Sequence, residues 1–372
     1  MVSAPLEGLK VVELARILAG PWIGQTLADL GADVLKVESP EGDDTRQWGP
    51  PFIEREGEKS AAYFHAANRG KASKIVDFRD GAQLDELRRI IAEADVVIEN
   101  FKVGGLAKFG LDYETLRKEN PGLVYCSVTG FGQDGPYAER AGYDFLIQGM
   151  SGIMDLTGDP SGEPQKIGVA FADIFSGLYG VIAIQAALAE RARSGLGQQI
   201  DISLLDCMTG VLANQAMNYL ASSETPTRLG NAHPNIVPYQ VFEVSDGFVI
   251  IACGNDRQFT SLLNVLDLNS LTDDPRFTTN AARVENRAAL TTFLTKPLAG
   301  WTKAEILQEL ERVVVPAGPI NSVAEAFSDQ QVVHRGMQIR PQGVPGVRTP
   351  IKFSRSELTL HSAAPALRQR KR

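Results

Sequence analysis

Apolar and polar positions recur along the first part of the chain with two periods, which predict strands and helices in turn. Residues 9–14 form an apolar run that is typical of a strand. Pro21 stands where a helix would begin, and Ile23 and Leu27 fall on one face of that helix. Residues 33–38 predict a second strand, so the stretch predicts a βαβ unit and therefore a parallel sheet.

The same order of elements recurs over the rest of the first half. The pattern predicts a helix around 84–91, strands at 95–100, 123–129 and 199–202, a helix capped by Asp112, and a long helix after Asp173. We therefore predict an α/β protein whose large domain, residues 1–221, contains a Rossmann-like parallel sheet. A nicotinamide cofactor is disfavoured, because residues 20–24 lack the G-x-G-x-x-G fingerprint.

The pattern changes in the second half of the chain. Its signals are a linker at 222–227, a hairpin at 239–253 joined across Asp246-Gly247, and a capping box at Thr302 and Glu305. They predict a smaller α+β domain over residues 225–320, with its exit at 315–319. We expect a C-terminal segment, residues 321–372, to return to the large domain, with a basic and disordered end at 368–372.

Asp173 is a lone carboxylate within the apolar, glycine-rich run 167–189. Burial of an ionised carboxylate is costly unless the group is hydrogen-bonded or used chemically. One explanation is structural, because Asp is a preferred N-cap and Ile174 would then begin the helix. The run is also nearly long enough to span a bilayer, but Asp173, Ser176 and Gln185 interrupt it, and we predict a buried core helix.

Composition and charge narrow the class of protein. The chain has 372 residues, 44% of them hydrophobic and 22% charged, which is typical of a soluble globular protein of two or three domains. A net charge of −8 argues against nucleic acid as a partner, so an anionic ligand must meet a local basic pocket. The three cysteines are scattered, which predicts free thiols and a cytoplasmic protein. The four histidines lack metal-ligand spacing, so we expect no metal. The N-terminal stretch is charged, so we expect no signal peptide, and we expect no membrane partner.

Several short segments form a series along the chain. They are residues 18–21, 30–38, 42–43, 99–101, 106–110, 130–132, 135–136, 142–144 and 167–189. In order and spacing this series resembles the class III coenzyme A transferases, which include the formyl-CoA and carnitine CoA-transferases, from Pro5 to about Lys352. Residues 231–240 with Gly254-Asn255 are similar to the dicarboxylate-using branch, which includes the succinate-hydroxymethylglutarate CoA-transferases.

This resemblance implies a fold, an activity and a set of site residues. It implies an interlocked homodimer that moves CoA from an acyl-CoA to a carboxylic acid, with CoA as substrate and no tightly bound cofactor. It places the nucleophile on Asp173, which would form an aspartyl mixed anhydride and then an enzyme–CoA thioester. It places acyl-site contacts on Leu18, Ala19, Gly20, Tyr143, Asp144, Gly254 and Asn255. It places CoA contacts on Ser39, which replaces an arginine of the formyl-CoA transferases, and on Val76, Phe78, Arg79, Asn100, Phe101, Lys108 and Arg140.

Other interpretations stay open at this point. The same fold family includes α-methylacyl-CoA racemases, in which a histidine precedes the aspartate that matches Asp144; Tyr143 stands here instead, and tyrosine is a poor base at neutral pH. A non-catalytic acyl-CoA-binding protein is a second alternative, although it would not need Asp173. Turn geometry alone would explain Gly20 and Gly254.

Arg228 and His233 are candidates for binding the acid substrate. They follow the linker and precede the hairpin, and a dicarboxylic acid carries a second charge that needs a cation or several donors. Arg228 offers a bidentate fork and His233 a possible second donor. The alternative is that Arg228 is an exposed linker residue and that His233 bonds the backbone.

Overall fold

A computed structural model describes residues 4–55 and 57–367; the basic end, residues 368–372, which was expected to be disordered, lies outside the described residues. The strands are β1 (Lys10–Glu13), β2 (Asp33–Glu38), β3 (Phe52–Arg55), β4 (Glu58–Ala61), β5 (Ala72–Ile75), β6 (Val96–Glu99), β7 (Val124–Thr129), β8 (Gln199–Ser203), β9 (Tyr239–Val244), β10 (Gly247–Ala252), β11 (Ala317–Pro319), β12 (Gln338–Ile339) and β13 (Gly346–Val347). The α-helices are α1 (Ala19–Asp29), α2 (Ala62–Ala67), α3 (Gly81–Ala92), α4 (Tyr113–Leu116), α5 (Asp144–Met150), α6 (Ile153–Leu156), α7 (Phe171–Ser194), α8 (Leu204–Gly210), α9 (Ala213–Ser222), α10 (Asp256–Val265), α11 (Asn280–Glu285), α12 (Arg287–Leu298), α13 (Lys303–Arg312), α14 (Val323–Ser328) and α15 (Gln330–His334).

Six parallel strands form the main sheet in the order β5-β2-β1-β6-β7-β8. Val11, near the centre, pairs with Val34 on one side and Val96 on the other. The predicted α/β class with a parallel sheet is therefore confirmed. The sequence did not predict β5, because the stretch Ala-Ser-Lys-Ile contains a single β-branched residue. The chain extends the sheet first to one side of β1 and then, from β6 onward, to the other, as in doubly wound sheets.

Successive side chains of the strands enter two separate cores, one on each face of the sheet. Val11, Val96 and Ile98 belong to a core shared with α1 and α7. Val12 and Val97 belong to a second core shared with α3. The alternation follows from the two-residue period of a strand. Helices cover both faces of the sheet, so apolar side chains lie on both sides of these strands.

Glycines allow α1 and α7 to pack closely on the first of these faces. A Cβ on Gly177 would lie 2.9 Å from Cδ1 of Trp22, and a Cβ on Gly180 would lie 2.3 Å from Cδ1 of Ile23. By length and composition α7 would also satisfy the requirements of a membrane span. Its buried residues, such as Ile184, nevertheless belong to the core of the sheet, in agreement with the predicted core helix.

The chain divides into two compact units. The first comprises residues 4–154, 166–224 and 330–367, and the second comprises residues 155–165 and 225–329. The sequence predicts the onset of the second unit after the linker but does not assign the segment 155–165 to it.

The second unit contains the antiparallel sheet β11-β10-β9. The hairpin and the capping box of Thr302 with Glu305 are both present. The stretch 315–319 is more than the exit of the domain, because it contains β11 and pairs Gly318 with Ile250 of β10. Its Ala-Gly-Pro sequence has low strand propensity, so the neighbouring strand determines its conformation.

The described chain from residue 330 onward packs within the first unit, whereas residues 321–329, which were expected to return with it, belong to the second unit. Arg69 Nη1 donates a hydrogen bond to the carbonyl oxygen of Val347 at 3.0 Å. Thr349 Oγ1 donates to Asp29 Oδ2 at 2.6 Å. These bonds tie the segment to α1 and to the loop after α2.

Candidate active site

A cavity of about 440 Å³ opens in the first unit and is lined by Asp173. Its other walls come from the loops that follow β1, β6 and β7: residues 16–19, the segment around 100–109, and residues 128–130 with 138–143. The cavity therefore lies beyond the carboxyl ends of these strands, where the sheet changes direction between β1 and β6. Ligands of doubly wound sheets bind at this place.

Asp173 lies in the first turn of α7 rather than before it. The helix begins at Phe171 and its N-cap is Ala170, so the sequence-based expectation that Asp173 caps the helix is wrong. A residue distant in sequence, instead of Asp173, bonds one of the first amides of the helix. Asp144 Oδ1 accepts a hydrogen bond from the Ala172 amide at 2.8 Å.

The carboxyl group of Asp173 is strongly perturbed. Burial raises its pKa to about 7, and the nearby carboxylate of Asp144 adds to the increase. Within the described chain no group donates a hydrogen bond to it. A carboxylate that is partly buried and unbonded keeps its lone pairs available for reaction, whereas a structural carboxylate would have donors.

Asp144 is, by contrast, fully engaged. Its Oδ2 accepts from Nε2 of Gln148 at 2.7 Å, while its Oδ1 is bonded to the Ala172 amide. Gln148 in turn accepts from the amide of Ile167 at 2.9 Å. Asp144 thus joins α5 to the start of α7 and fixes the backbone that carries Asp173.

Four cations line the cavity. They are Arg16, Lys102, Lys108 and Arg140, and Asp173 is the single carboxylate among the described lining residues. Arg140 lies over the ring of Tyr137 at 4.4 Å, and Lys108 lies 4.8 Å from the ring centre of Phe109. A chain with a net charge of −8 therefore presents a local basic surface, which an anionic ligand requires.

A second cavity of about 340 Å³ lies beside the first, and Arg16 and Phe101 line both. Its lining includes the predicted CoA contacts Ser39, Val76, Phe78, Arg79 and Phe101. The rings of Phe78 and Phe101 are stacked with centroids 6.2 Å apart. Arg79 is 81% exposed and its guanidinium already bonds Asp77 at 2.8 Å.

The turn before α1 forms part of the wall of the larger cavity. Leu18 and Ala19 line it, and within the described chain their amides donate no hydrogen bond. Gly20 is explained by packing, because a Cβ there would lie 2.3 Å from Cβ of Ala15. Such free amides at the start of a helix favour negative charge.

A close crossing of two backbones forms the opposite wall. A Cβ on Gly130 would lie 2.6 Å from Cα of Gly142, so both positions need glycine. The crossing brings Arg140 and Tyr143 to the cavity, and Tyr143 is 67% exposed. No histidine lies among the described lining residues, so the second base of a racemase has no counterpart here.

The profile of CoA-transferase family III matches residues 6–371. The chain belongs to this family. It is 55% identical over 371 residues, 98% of this chain and 93% of the relative, to a succinate–glutarate CoA-transferase of Agrobacterium fabrum. It is 38% identical over 371 residues, 98% of this chain and 84% of the relative, to a human succinyl-CoA:glutarate CoA-transferase. The crystal structure of a CaiB/BaiF family protein from Brucella suis, 67% identical, superposes with a TM-score of 0.89 and covers 98% of this chain and 97% of that one.

These findings confirm the family and the enzyme class that the resemblance implied. The protein is a CoA-transferase, and enzymes of this kind use CoA thioesters as substrates. The basic cavity of the first unit combines four cations with the perturbed carboxyl group of Asp173.

The remaining predicted residues of this CoA-transferase lie in the second unit, and all four are engaged there. Gly254 donates its amide to Gln258 Oε1 at 2.8 Å, and Asn255 caps α10. Arg228 Nη1 pairs with Asp155 at 3.0 Å. His233 Nδ1 accepts from the amide of Asn235 at 3.1 Å.

Sequence reasoning missed Arg16, Ile17 and Lys102 in the cavity of this transferase. Arg16 and Lys102 lie in the loops shortly after the ends of β1 and β6, a position that could have identified them in a parallel sheet. Ile17 carries no chemical signal of its own, because its role depends on backbone conformation.

Proposed function

We propose that the protein moves CoA between an acyl-CoA and a dicarboxylic acid of the succinate and glutarate class, with Asp173 as nucleophile. The observation that carries this proposal is an unbonded, partly buried carboxylate in a cavity lined by four cations. The names of the similar transferases, which act on succinate, succinyl-CoA and glutarate, support the substrate class.

The proposed reaction balances without a cofactor. Asp173 attacks the thioester carbonyl and expels the CoA thiolate, which leaves an acyl–aspartyl mixed anhydride. The thiolate then attacks the aspartyl carbonyl, releasing the donor acid and forming an enzyme–CoA thioester. The acceptor carboxylate attacks this thioester and expels the CoA thiolate, which leaves a second mixed anhydride between Asp173 and the acceptor. The thiolate then attacks the acceptor carbonyl of that anhydride, which releases the new acyl-CoA and the carboxylate of Asp173.

We assign the CoA ligand to the two cavities of the first unit. The adenine suits the apolar faces of Phe78 and Phe101, because aromatic rings stack on bases. The phosphates suit Lys108 and Arg140, joined by Arg16 where the cavities meet. The strand order supports the description of this unit as Rossmann-like, with its ligand at the switch point. Ser39, Val76 and Arg79 complete the proposed CoA contacts, and Asn100, which the family resemblance also implies, lines the larger cavity.

The acyl end requires donors for each tetrahedral intermediate. The free amides of Leu18 and Ala19 supply them in this proposal, with Tyr143 exposed at the same cavity. Gly20 contributes by allowing the turn to approach its strand. Gly254 and Asn255 of the second unit remain acyl-site candidates because of the family resemblance. Asp144 raises the pKa of Asp173 through its charge and, by bonding the Ala172 amide, positions the start of α7.

We also propose that the protein is a homodimer. Exposed apolar side chains on α5, α7 and α9 support an interface: Phe145, Leu146, Leu178, Tyr179, Ile182, Met217 and Leu220. A group of exposed apolar side chains on these helices is typical of a protein–protein contact. Light scattering on the purified protein should give twice the chain mass of 40.3 kDa.

The nucleophile is tested by substitution and by trapping. Asp173→Asn and Asp173→Ala should abolish transfer while CoA still binds, and Asp134→Asn, which changes an exposed carboxylate, should leave transfer intact. Borohydride or hydroxylamine added to enzyme and acyl-CoA should modify Asp173 alone, as read by mass spectrometry of peptides. Turnover by the Asn variant, with deamidation excluded by its mass, would refute the assignment.

The acid site is tested at Arg228, the candidate for the second carboxylate together with His233. Since Asp155 already occupies Arg228, the substrate would have to replace that carboxylate. Arg228→Met should then raise KM for succinate or glutarate about tenfold or more, and hardly change KM for a monocarboxylate of similar length. Arg257→Met, at an exposed arginine of the same unit, is the control. An equal effect on both acids removes Arg228 from the site.

A further inference from the structure

Ile17 adopts an unfavourable backbone conformation at the edge of the larger cavity. Its φ of 72° lies in the left-handed region, which a β-branched residue rarely enters. The residue lies between the end of β1 and the start of α1, and it lines the same cavity as Asp173. A conformation of this kind persists only where the surroundings determine it.

Asn100 binds the turn between β1 and α1 from one side. Its Oδ1 accepts a hydrogen bond from the amide of Arg16 at 2.9 Å, and its Nδ2 donates to the carbonyl oxygen of Arg16 at 2.7 Å. The side-chain amide thus binds both backbone groups of the residue before Ile17. Only a carboxamide offers a donor and an acceptor in this arrangement, because a carboxylate accepts only.

A buried ion pair holds the turn from the other side. Asp43 Oδ1 accepts from the amide of Ile17 at 3.4 Å, and Asp43 Oδ2 lies 2.9 Å from Lys36 Nζ. Lys36 also donates to the carbonyl oxygen of Ala15 at 2.9 Å, and its side chain is fully buried. The carbonyl group of Ala15 and the amide of Ile17, which flank Arg16, are therefore bonded to the buried side chains of Lys36 and Asp43.

We infer that Asn100 is a positioning residue that, together with the Lys36–Asp43 pair, locks the Ile17 turn and so aims the Leu18 and Ala19 amides at the reaction centre. This inference rests on the proposed function. It also gives Asn100 a different role from direct CoA contact, since both polar groups of its side chain are occupied. Loss of the lock leaves the amides present but badly oriented, and oriented donors account for much of such catalysis.

Kinetics separate the two roles of Asn100. Asn100→Leu and the isosteric Asn100→Asp should each lower kcat about 10- to 100-fold, because neither side chain can bind both groups of Arg16. The dissociation constant for CoA, measured by calorimetry, should change less than about threefold. An unchanged kcat with weaker CoA binding would show a ligand contact and overturn the inference.

Hydrogen exchange tests the lock without relying on activity. In Asn100→Leu the amide of Ile17, which donates to Asp43, should exchange about tenfold faster or more, while the sheet amides of β7 keep their protection. Unchanged exchange at Ile17 would overturn the inference even if kcat fell. Failure to trap an intermediate on Asp173 would instead defeat the proposed function and leave this measurement valid.

A rescue experiment addresses the strain itself. Glycine enters the left-handed region without the steric cost of a Cβ, so Ile17→Gly should recover part of the kcat lost in Asn100→Leu. Val103→Gly is the matched control, since Val103 lines the same cavity and has no positive φ. Equal recovery by both glycine variants, or none by Ile17→Gly, would contradict the role of strain.

Discussion

Replacement of Asp173, the proposed nucleophile, should stabilise the protein, and the gain should depend on pH. Burial raises the pKa of Asp173 to about 7 from an ordinary value of 3.8. The folded state therefore binds more protons than the unfolded state between these pH values, and stability falls as pH rises through the interval. At 1.36 kcal/mol per pKa unit, the penalty is about 1.7 kcal/mol at pH 5 and about 4 kcal/mol at pH 8.

Asp173→Asn removes the ionisation and with it the penalty. Urea unfolding followed by tryptophan fluorescence should show the variant more stable than the wild type at both pH values, with about 2.5 kcal/mol more gain at pH 8 than at pH 5. Asp134→Asn, at an exposed carboxylate, should show no such difference. A gain of equal size at both pH values, or no gain, would refute the view that burial and the charge of Asp144 disfavour the ionised form of Asp173.

Two further predictions concern Asp144, which lies near Asp173, and the buried carboxylate of Glu13. The proposed nucleophile reacts as the carboxylate, so kcat/KM for acyl-CoA should rise through about pH 7. Asp144→Asn should move the midpoint of this pH profile downward, because it removes the like charge beside Asp173, and an unmoved midpoint would contradict the assignment. Gly24→Ala should destabilise the protein by about 3–5 kcal/mol, because the added Cβ would lie 1.8 Å from the buried Oε2 of Glu13. Gly81→Ala is the control, because a Cβ there has nothing within 4 Å, and it should be neutral or slightly stabilising in the same urea titration.

The sheet was predictable because its strands carry apolar residues on both faces. β2 and β7 follow directly from such runs, and the alternation of strand and helix fixes the parallel arrangement. β5 and β11 could not be recognised in this way, because their residues gain strand conformation only from a neighbouring strand. The segment 155–165 likewise belongs to the second unit through contacts that no local pattern reveals.

The candidate site was predictable in its chemistry but not in its construction. A lone carboxylate in a glycine-rich run directs attention to Asp173, and the family resemblance assigns it a reaction. The neighbours that determine its state, however, are distant in the chain: Asp144 bonds the helix start and raises the pKa of Asp173. The same holds for Asn100, whose bonds to Arg16 span 84 positions. Hydrogen-bond partners this far apart leave no signal in a single sequence.

Two unfavourable features meet at one cavity. Asp173 is a carboxylate without donors, and Ile17 is a β-branched residue with positive φ. Neither lies free in a loop, because each is fixed by groups behind it, Asp144 in the first case and Asn100 with Asp43 in the second. A flexible site would relax by solvating the carboxylate and by turning Ile17 to a common conformation. The sheet and its two cores oppose both relaxations, so the fold itself keeps the carboxyl group of Asp173 without donors and Ile17 at positive φ.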